Sequence, residues 1–514
     1  MNHLPVLPVV IPALAGALLL IFGSRITAAR TVSLGAMLLT LAASALLVAE
    51  ADSGVYGVYA LGNWIAPFGI VLVADRLSAL LVLLTGMIGL ATLAYAVTGW
   101  DLKGKHFHAL FQLQVMGING AFLTGDLFNL FVFFEVLLIA SYCLLLHGLG
   151  QPRLRAAVHY VAVNLTGSAV FLIAVSLLYG VTGTLNMAHL AERIAQTPEA
   201  DIALVRSAGL MLLGVFAVKG ALFPLYFWLP ATYSSASAPV AALFAIMTKV
   251  GIYAILRVNT LMFGGETGAA ADIVSPWLLP LALATLVLGV AGALGARRMG
   301  ELVAHLTVAS AGTLLTAVSV GSAGALAGAV YYLPHSTLVV AALFLLAELV
   351  ARQRGAVADT MTPATPLRQP VLLGIALLLG AAIIAGAPPT AGFIGKLMIL
   401  QGVANHPAAA WIWAIVLGSS LAMLLAWSRA GSALIWQQAG NSAEPAAQPA
   451  RPAEWLPLYG LLAASVLMVV CAGSVSRYAE ATAAQLLEPR QYVDAVVGGN
   501  SERTPRALRG EGRP

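Results

Sequence analysis

Long apolar blocks separated by short polar connectors run through this chain. Fourteen of them approach or exceed the about 20 mainly apolar residues that a helix needs to span a bilayer. They lie near 4–22, 31–49, 70–97, 107–123, 127–147, 156–180, 203–228, 238–260, 273–296, 301–320, 322–350, 370–402, 409–430 and 455–474. The pattern predicts an all-α polytopic membrane protein with about 14 transmembrane helices. The first block lacks a basic leader and a convincing cleavage site, so it reads as a retained helix and not as a signal peptide.

Two blocks are interrupted in related ways. The seventh holds Lys219, then Pro224 and Pro230, and passes into TYSSASAP. The twelfth holds Gly386-Ala387-Pro388-Pro389, then Gly392, Gly395 and Lys396. Proline removes a backbone donor and clashes with the preceding turn, which predicts broken helices at both places. Irregular backbone at membrane depth is tolerated where it is buried in protein or lines a water-filled cavity. Paired breaks in corresponding halves therefore point to a transport site. The lysine precedes the first proline in one block and follows the last in the other, as an inverted repeat would have it.

Composition agrees with a membrane protein: 60% hydrophobic, 9% charged, mean hydropathy +0.92, unlike any soluble domain. Loops after odd-numbered blocks carry Arg25, Arg30, Lys103, Lys105, Arg153, Arg155, Arg297, Arg298, Arg352, Arg354, Arg368, Arg429 and Arg451. Those after even-numbered blocks carry Glu50, Asp52, a mixed set around 192–206, Glu266 and Asp272. The positive-inside rule then puts the odd loops in the cytoplasm and both termini outside. The net charge of +5 reports this topology and no nucleic-acid face. The connector 186–201, the Ala/Gln/Pro-rich loop 436–452 and the tail after about 485 are the longest polar stretches, and the loop and tail read as flexible. Cys143 and Cys471 lie in apolar runs and read as small core residues.

The chemistry sits in charges that the apolar blocks ought to exclude. Of five lysines, Lys219, Lys249 and Lys396 lie inside blocks, as does Glu135. Intramembrane charges are costly, face a protein or water interior, and mark ion paths or proton relays. One carboxylate cannot neutralise three ammoniums, so a merely structural ion pair explains little. Low dielectric favours the neutral form of a buried amine and a nearby carboxylate the charged form, so such a set can pass protons. His335, beside Pro334 on a further segment expected to be interrupted, reads as a relay or gate, and His305 is balanced between relay and core. His147 and His159 read as interfacial. Asp75 and Arg76 read as a structural pair or an entrance, and Asp126 as a stabiliser of its helix N-terminus. No metal-ligand spacing, phosphate loop or nucleophile–base pair is present, and no cofactor is expected.

The strings GDLFNLFVFFEVLLIASYCLL (125–145), KGALFPLYFWLP with APVAALFAIMTKVGIYAILR (219–257), YYLPHSTLVVAALFLLAE and PPTAGFIGKL resemble the antiporter-like subunits shared by complex I and the Mrp-type multisubunit cation/proton antiporters. The resemblance spans about 65–475. It implies two inverted five-helix repeats with broken helices 7 and 12: N-terminal helices 1–3 over 1–106, the first repeat over 107–260, the second over 261–435, a flexible cytoplasmic loop over 436–454, and helix 14 with a polar tail over 455–514. It implies a translocation set of Glu135, Lys219, Lys249, His335 and Lys396. The string 159–193, with Tyr226 and Tyr233, is similar to the D-type branch of the Mrp members. Valines at 339 and 340 stand where several relatives carry a lysine, and Ala231 replaces a common aspartate.

Three functions follow. The first is a subunit of a multisubunit Na⁺ or K⁺/H⁺ antiporter, partnered by other subunits, in a bacterial cell membrane. The second is a proton-pumping, non-redox subunit of a complex I-type or hydrogenase-type assembly. The third, a solute permease, is disfavoured because the interior offers lysines and no solute-recognition set.

Overall fold

Helices succeed one another along nearly the whole computed structural model, which describes residues 3–23, 25–64, 69–265, 268–363, 367–436 and 448–498. In chain order they are α1 (Leu7–Phe22), α2 (Ile26–Asp52), α3 (Arg76–Ala96), α4 (Phe107–Leu123), α5 (Leu127–Leu145), α6 (Gln151–Thr182), α7 (Met187–Ala195), α8 (Ile202–Gly220), α9 (Trp228–Ser235) and α10 (Ala238–Met262). Then follow α11 (Ser275–Gly295), α12 (Met299–Val320), α13 (Ala323–Gln353), α14 (Pro370–Ala385), α15 (Ala391–Gly402), α16 (Ala409–Gly431), α17 (Pro452–Val470), α18 (Ala472–Leu487) and α19 (Pro489–Val497). Each of the fourteen apolar blocks contains a helix or an interrupted helix. Twelve helices among the described residues are long and apolar enough to cross a membrane, while α14 and α15 are shorter apolar pieces.

The two expected breaks are present. α8 ends at Gly220, ahead of Pro224, and α9 resumes at Trp228; α14 ends at Ala385 and α15 resumes at Ala391. Ala221 and Gly386, the first residues beyond α8 and α14, take left-handed conformations. The expected interruption at Pro334 is absent: α13 runs unbroken across it. The hydroxyls of Ser336 and Thr337 both donate to the Leu333 carbonyl, the kind of local adjustment that lets a membrane helix carry a proline.

Burial sorts the helices. α10 and α13 are buried almost throughout and α12 largely so, whereas α1, α2, α6, α11 and α16 expose much of their apolar surface. A bundle whose outer helices show leucine and isoleucine outward suits a lipid surround, because lipid removes the cost of exposing them. The central trio carries Lys249, Ser310 and His335.

Several sequence expectations change. Residues 71–74, expected to begin the third helix, form β2, paired antiparallel with β1 (Gly57–Ala60) in the register Gly57↔Ala74. α3 starts only at Arg76, because Asp75 caps it: its carboxylate accepts from the Ser78 N–H at 2.9 Å, and the Ser78 hydroxyl reaches back to the Asp75 N–H. Asp75 pairs with Arg257 of α10, at 2.5 Å, and not with Arg76. The tail is ordered through α19, where Tyr492 packs edge-on against Tyr56 and under the Arg257 guanidinium. Both cysteines are exposed and not core residues, on the outward face of α5 and at the end of α17. Most of the 436–452 loop and the residues after 498 lie outside the described residues.

One end of the bundle gathers a group of basic residues. Arg30 binds Asp101, Lys103 and Arg153 both approach the Trp100 ring, Arg298 binds Asp359, and Arg352 binds Glu454. Burial opposes ionisation of Asp101, but hydrogen bonds from Arg30 and His108 outweigh it and hold the carboxyl below its usual range.

Candidate functional site

The buried charges lie along a row of packed helices. α5 packs on α6, α6 on α8, α8 on α10, α10 on α13, and α13 on α15. Glu135, half-exposed on α5, accepts a hydrogen bond from the Ser168 hydroxyl of α6. One turn earlier on α6, Asn164 accepts from the Lys219 ammonium at 3.0 Å. No ion pair joins Glu135 to Lys219 among the described residues. The Lys219 ammonium also stands 5.7 Å above the Phe134 ring, within cation–π range.

Lys219 lies in the last turn of α8, where the helix dipole favours a cation. The break leaves carbonyls without helical partners, and Trp228 of α9 donates to one of them, Val218, at 3.0 Å. Around Lys219 a cavity bounded by Phe134, Tyr160, Asn164, Trp228, Met247 and Val250 leaves about 10 Å³ for the centre of a water-sized sphere, at the lower limit for one water. Met247 and Val250 flank Lys249 on α10, which puts the two lysines on opposite sides of one helix wall. Gly251 makes this approach close. A Cβ there would stand 2.3 Å from the Gly220 nitrogen and 2.5 Å from the Lys219 carbonyl carbon.

Lys249 is fully buried and donates to Ser310 of α12 at 3.1 Å. Ser310 in turn donates to the Thr307 carbonyl. His335 is also fully buried, and neither ring nitrogen has a partner among the described residues. Its ring lies 5.0 Å from that of Tyr332, and Lys249 and Lys396 are the charges that act on it. α15 leans on it through Gly392, where a Cβ would meet His335 Cε1 at 2.8 Å and the Ile383 carbonyl at 2.3 Å. Lys396 donates to the Ala385 carbonyl, the last of α14, at 2.9 Å and to Ser420 of α16 at 2.8 Å. Both broken segments thus place a lysine at the C-terminal end of the half-helix before the break, although one lysine precedes and the other follows it.

His305 stands apart from this row. It packs against Gly292 of α11, and five residues separate it from Ser310, which is about 140° around α12. His159 is exposed on α6, and His147 bonds to the Trp100 carbonyl near the basic end. Asp126 caps α5 by accepting from the Asn129 N–H at 2.8 Å.

Residues 124–424, which hold the row from Glu135 to Ser420, match the family model described as NADH:quinone oxidoreductase/Mrp antiporter, TM. The chain belongs to this family. This NADH:quinone oxidoreductase/Mrp antiporter family member is 42% identical to a probable D-type subunit of a K⁺/H⁺ antiporter from Rhizobium meliloti, over 97% of this chain and 98% of the relative. It is 36% identical to the D-type subunit of the Na⁺/H⁺ antiporter from Bacillus subtilis, over 97% and 100%. A chain of the Mrp complex from Dietzia superposes with a TM-score of 0.86 at 27% identity, covering 97% of this chain and all of that one.

Four residues of this family member entered the row only with the structure: Asn164, Ser168, Ser310 and Ser420. Asn164 and Ser168 were within reach of the sequence, since polar residues four apart in an apolar helix share one face. Ser310 shares its face with Thr307 and Thr313, a hydroxyl pattern too ordinary in a membrane helix to single it out, and Ser420 has no such companion.

Proposed function

We propose that this chain is an ion-translocating subunit of a multisubunit monovalent cation/proton antiporter. It moves protons, coupled to Na⁺ or K⁺, along Glu135, Lys219, Lys249, His335 and Lys396. The observation that carries this reading is that each buried lysine is held by neutral oxygens (Asn164, Ser310, or Ala385 and Ser420) and, among the described residues, by no carboxylate. A carboxylate partner would fix the proton on the amine. A neutral acceptor orients the amine and leaves it free to release the proton when a neighbouring charge changes. The titrations belong to the coupled row, and antiport requires that proton and cation occupancy oppose each other. The activity is transport and breaks no covalent bond.

On this reading, 107–260 and 261–435 are the two inverted repeats, and the basic end faces the cytoplasm of a bacterial cell with both termini outside. The partners are the other subunits of the antiporter. The high identity to D-type antiporter relatives over the full chain favours this assembly over a redox complex. Everted vesicles carrying the complex test it: Glu135→Ala and Lys219→Ala are each expected to abolish dye-reported antiport at unchanged complex abundance. Wild-type exchange in either variant refutes the assignment.

A further inference from the structure

At the basic end a cavity of about 300 Å³ opens among α6, α9, α10, α12 and α13. No member of the buried row lines it. Arg153, Tyr233, Arg298, Glu348 and Asp359 do, and four of these five are committed elsewhere. Arg153 donates to the Ser235 and His147 carbonyls. Tyr233 donates to the Phe244 carbonyl at 2.8 Å. Asp359 accepts from Arg298 at 2.8 Å and from the Gly300 N–H at 2.9 Å. Glu348, half-buried on α13, has no hydrogen-bond or ion-pair partner among the described residues.

We propose that this cavity is the proton-uptake vestibule of the basic end and that Glu348 is its proton-accepting carboxylate. The inference rests on the transport reading above and adds to it a mouth and a residue. The vestibule touches the row's own helices. Ala241 on its wall precedes Lys249 by eight residues of α10, about 12 Å of helix rise. Towards Lys219 the wall is aromatic: Tyr233 lies 6.1 Å from Trp228, which stacks on Tyr160 at 5.0 Å, and the last two line the Lys219 cavity. The opening thus reaches within about two helical turns of Lys249 along α10 and one aromatic layer of the Lys219 cavity.

The charges select a proton over a metal cation. Of the cations that act on Glu348, Arg352 is held by Glu454, which leaves Lys103 and Arg153 without a carboxylate partner among the described residues; Asp359, the further carboxylate that acts on it, is held by Arg298. A Na⁺ or K⁺ would meet the repulsion of these two cations with one unpaired carboxylate among the lining residues. A proton needs only the carboxylate. Hydronium in the vestibule gives its proton to the Glu348 carboxylate and leaves as water, and the carboxyl then releases the proton inward to a water on the lysine side.

The test uses the assembled complex in vesicles. Glu348→Gln is expected to lower turnover about tenfold or more with an unchanged half-saturating cation concentration, and Glu348→Asp to restore most of it. In a Cys143→Ser, Cys471→Ser background, a membrane-impermeant thiol reagent on Ala351→Cys, read before and after addition, is expected to block exchange from the basic side alone. Comparing everted with right-side-out vesicles reads the side. Wild-type turnover in Glu348→Gln, or no block from that side, overturns the vestibule; inactivity of Lys219→Ala in the same assay leaves the transport reading standing. Wild-type turnover in Lys219→Ala overturns both.

Discussion

The ammonium of Lys219 donates to the amide oxygen of Asn164 at 3.0 Å and not to the carboxylate of Glu135, which the Ser168 hydroxyl holds one turn further along α6. The two charges that sequence reading sets beside each other are separated by a helix face that supplies each with a neutral partner. Their coupling is therefore electrostatic across α6 and not a contact ion pair. That arrangement can change state without breaking a buried salt bridge, which costs several kcal/mol when one partner is lost.

Keeping the charge at position 219 while removing its acidity separates a relay from a fixed electrostatic element. Lys219→Arg is expected to be as inactive as Lys219→Ala, because a guanidinium does not lose its proton in a protein. Initial rates of dye-reported exchange in everted vesicles decide it. Retention of most of the activity would mean that Lys219 acts as a standing charge.

Asn164 gives the complementary experiment. Asn164→Asp places a carboxylate where the amide oxygen now meets the ammonium, and an opposite charge at that distance holds the proton on the amine. Exchange is expected to fall to background although the side chain is nearly isosteric. Asn164→Ser, shorter and neutral, is expected to keep a fraction of it. The reverse order would show that Asn164 matters for packing alone.

What the sequence reveals of this site divides by chemistry. Lys219, Lys249, Lys396 and Glu135 stand out because charge inside an apolar block has few structural explanations. Ser310 and Ser420 do not, because hydroxyls are ordinary in membrane helices and their lysine partners lie 61 and 24 residues away, a relation only helix packing creates. Pro224 and Pro388-Pro389 mark real breaks, whereas Pro334 does not, since flanking hydroxyls and a buried setting keep α13 intact. The β1–β2 hairpin escapes notice because the apolar run of β2 merges with that of α3 and only the Asp75 cap divides them. Tyr492 shows the same limit: a polar tail is ordered where one aromatic ring finds the Arg257 guanidinium.

Asp75 and Arg257 predict a stability effect separate from transport. Both side chains are nearly inaccessible, and the carboxylate also caps α3. Asp75→Ala leaves an uncompensated buried guanidinium and an uncapped helix, expected to cost about 3–5 kcal/mol. Thermal unfolding in detergent should show a clearly lowered midpoint, and Asp75→Ala with Arg257→Met should recover part of it. A single variant as stable as wild type would mean that water reaches the pair.

Lys396 and His335 test whether the second half of the row carries protons. Gly392 holds α15 against the His335 ring, and Lys396 is among the charges that act on that ring. The ring itself has two unpartnered nitrogens in a fully buried place, an arrangement costly to keep unless a mobile proton or water visits it. Lys396→Ala and His335→Ala are each expected to reduce exchange strongly at normal complex abundance. If both lie on one path, the double variant should be no worse than the poorer single, because blocking a series path twice adds nothing. The three vesicle rates, measured side by side with the Lys219→Ala background, give the answer. Two mild defects that multiply would place Lys396 and His335 in independent structural roles, and the path would then end at Lys249 and Ser310.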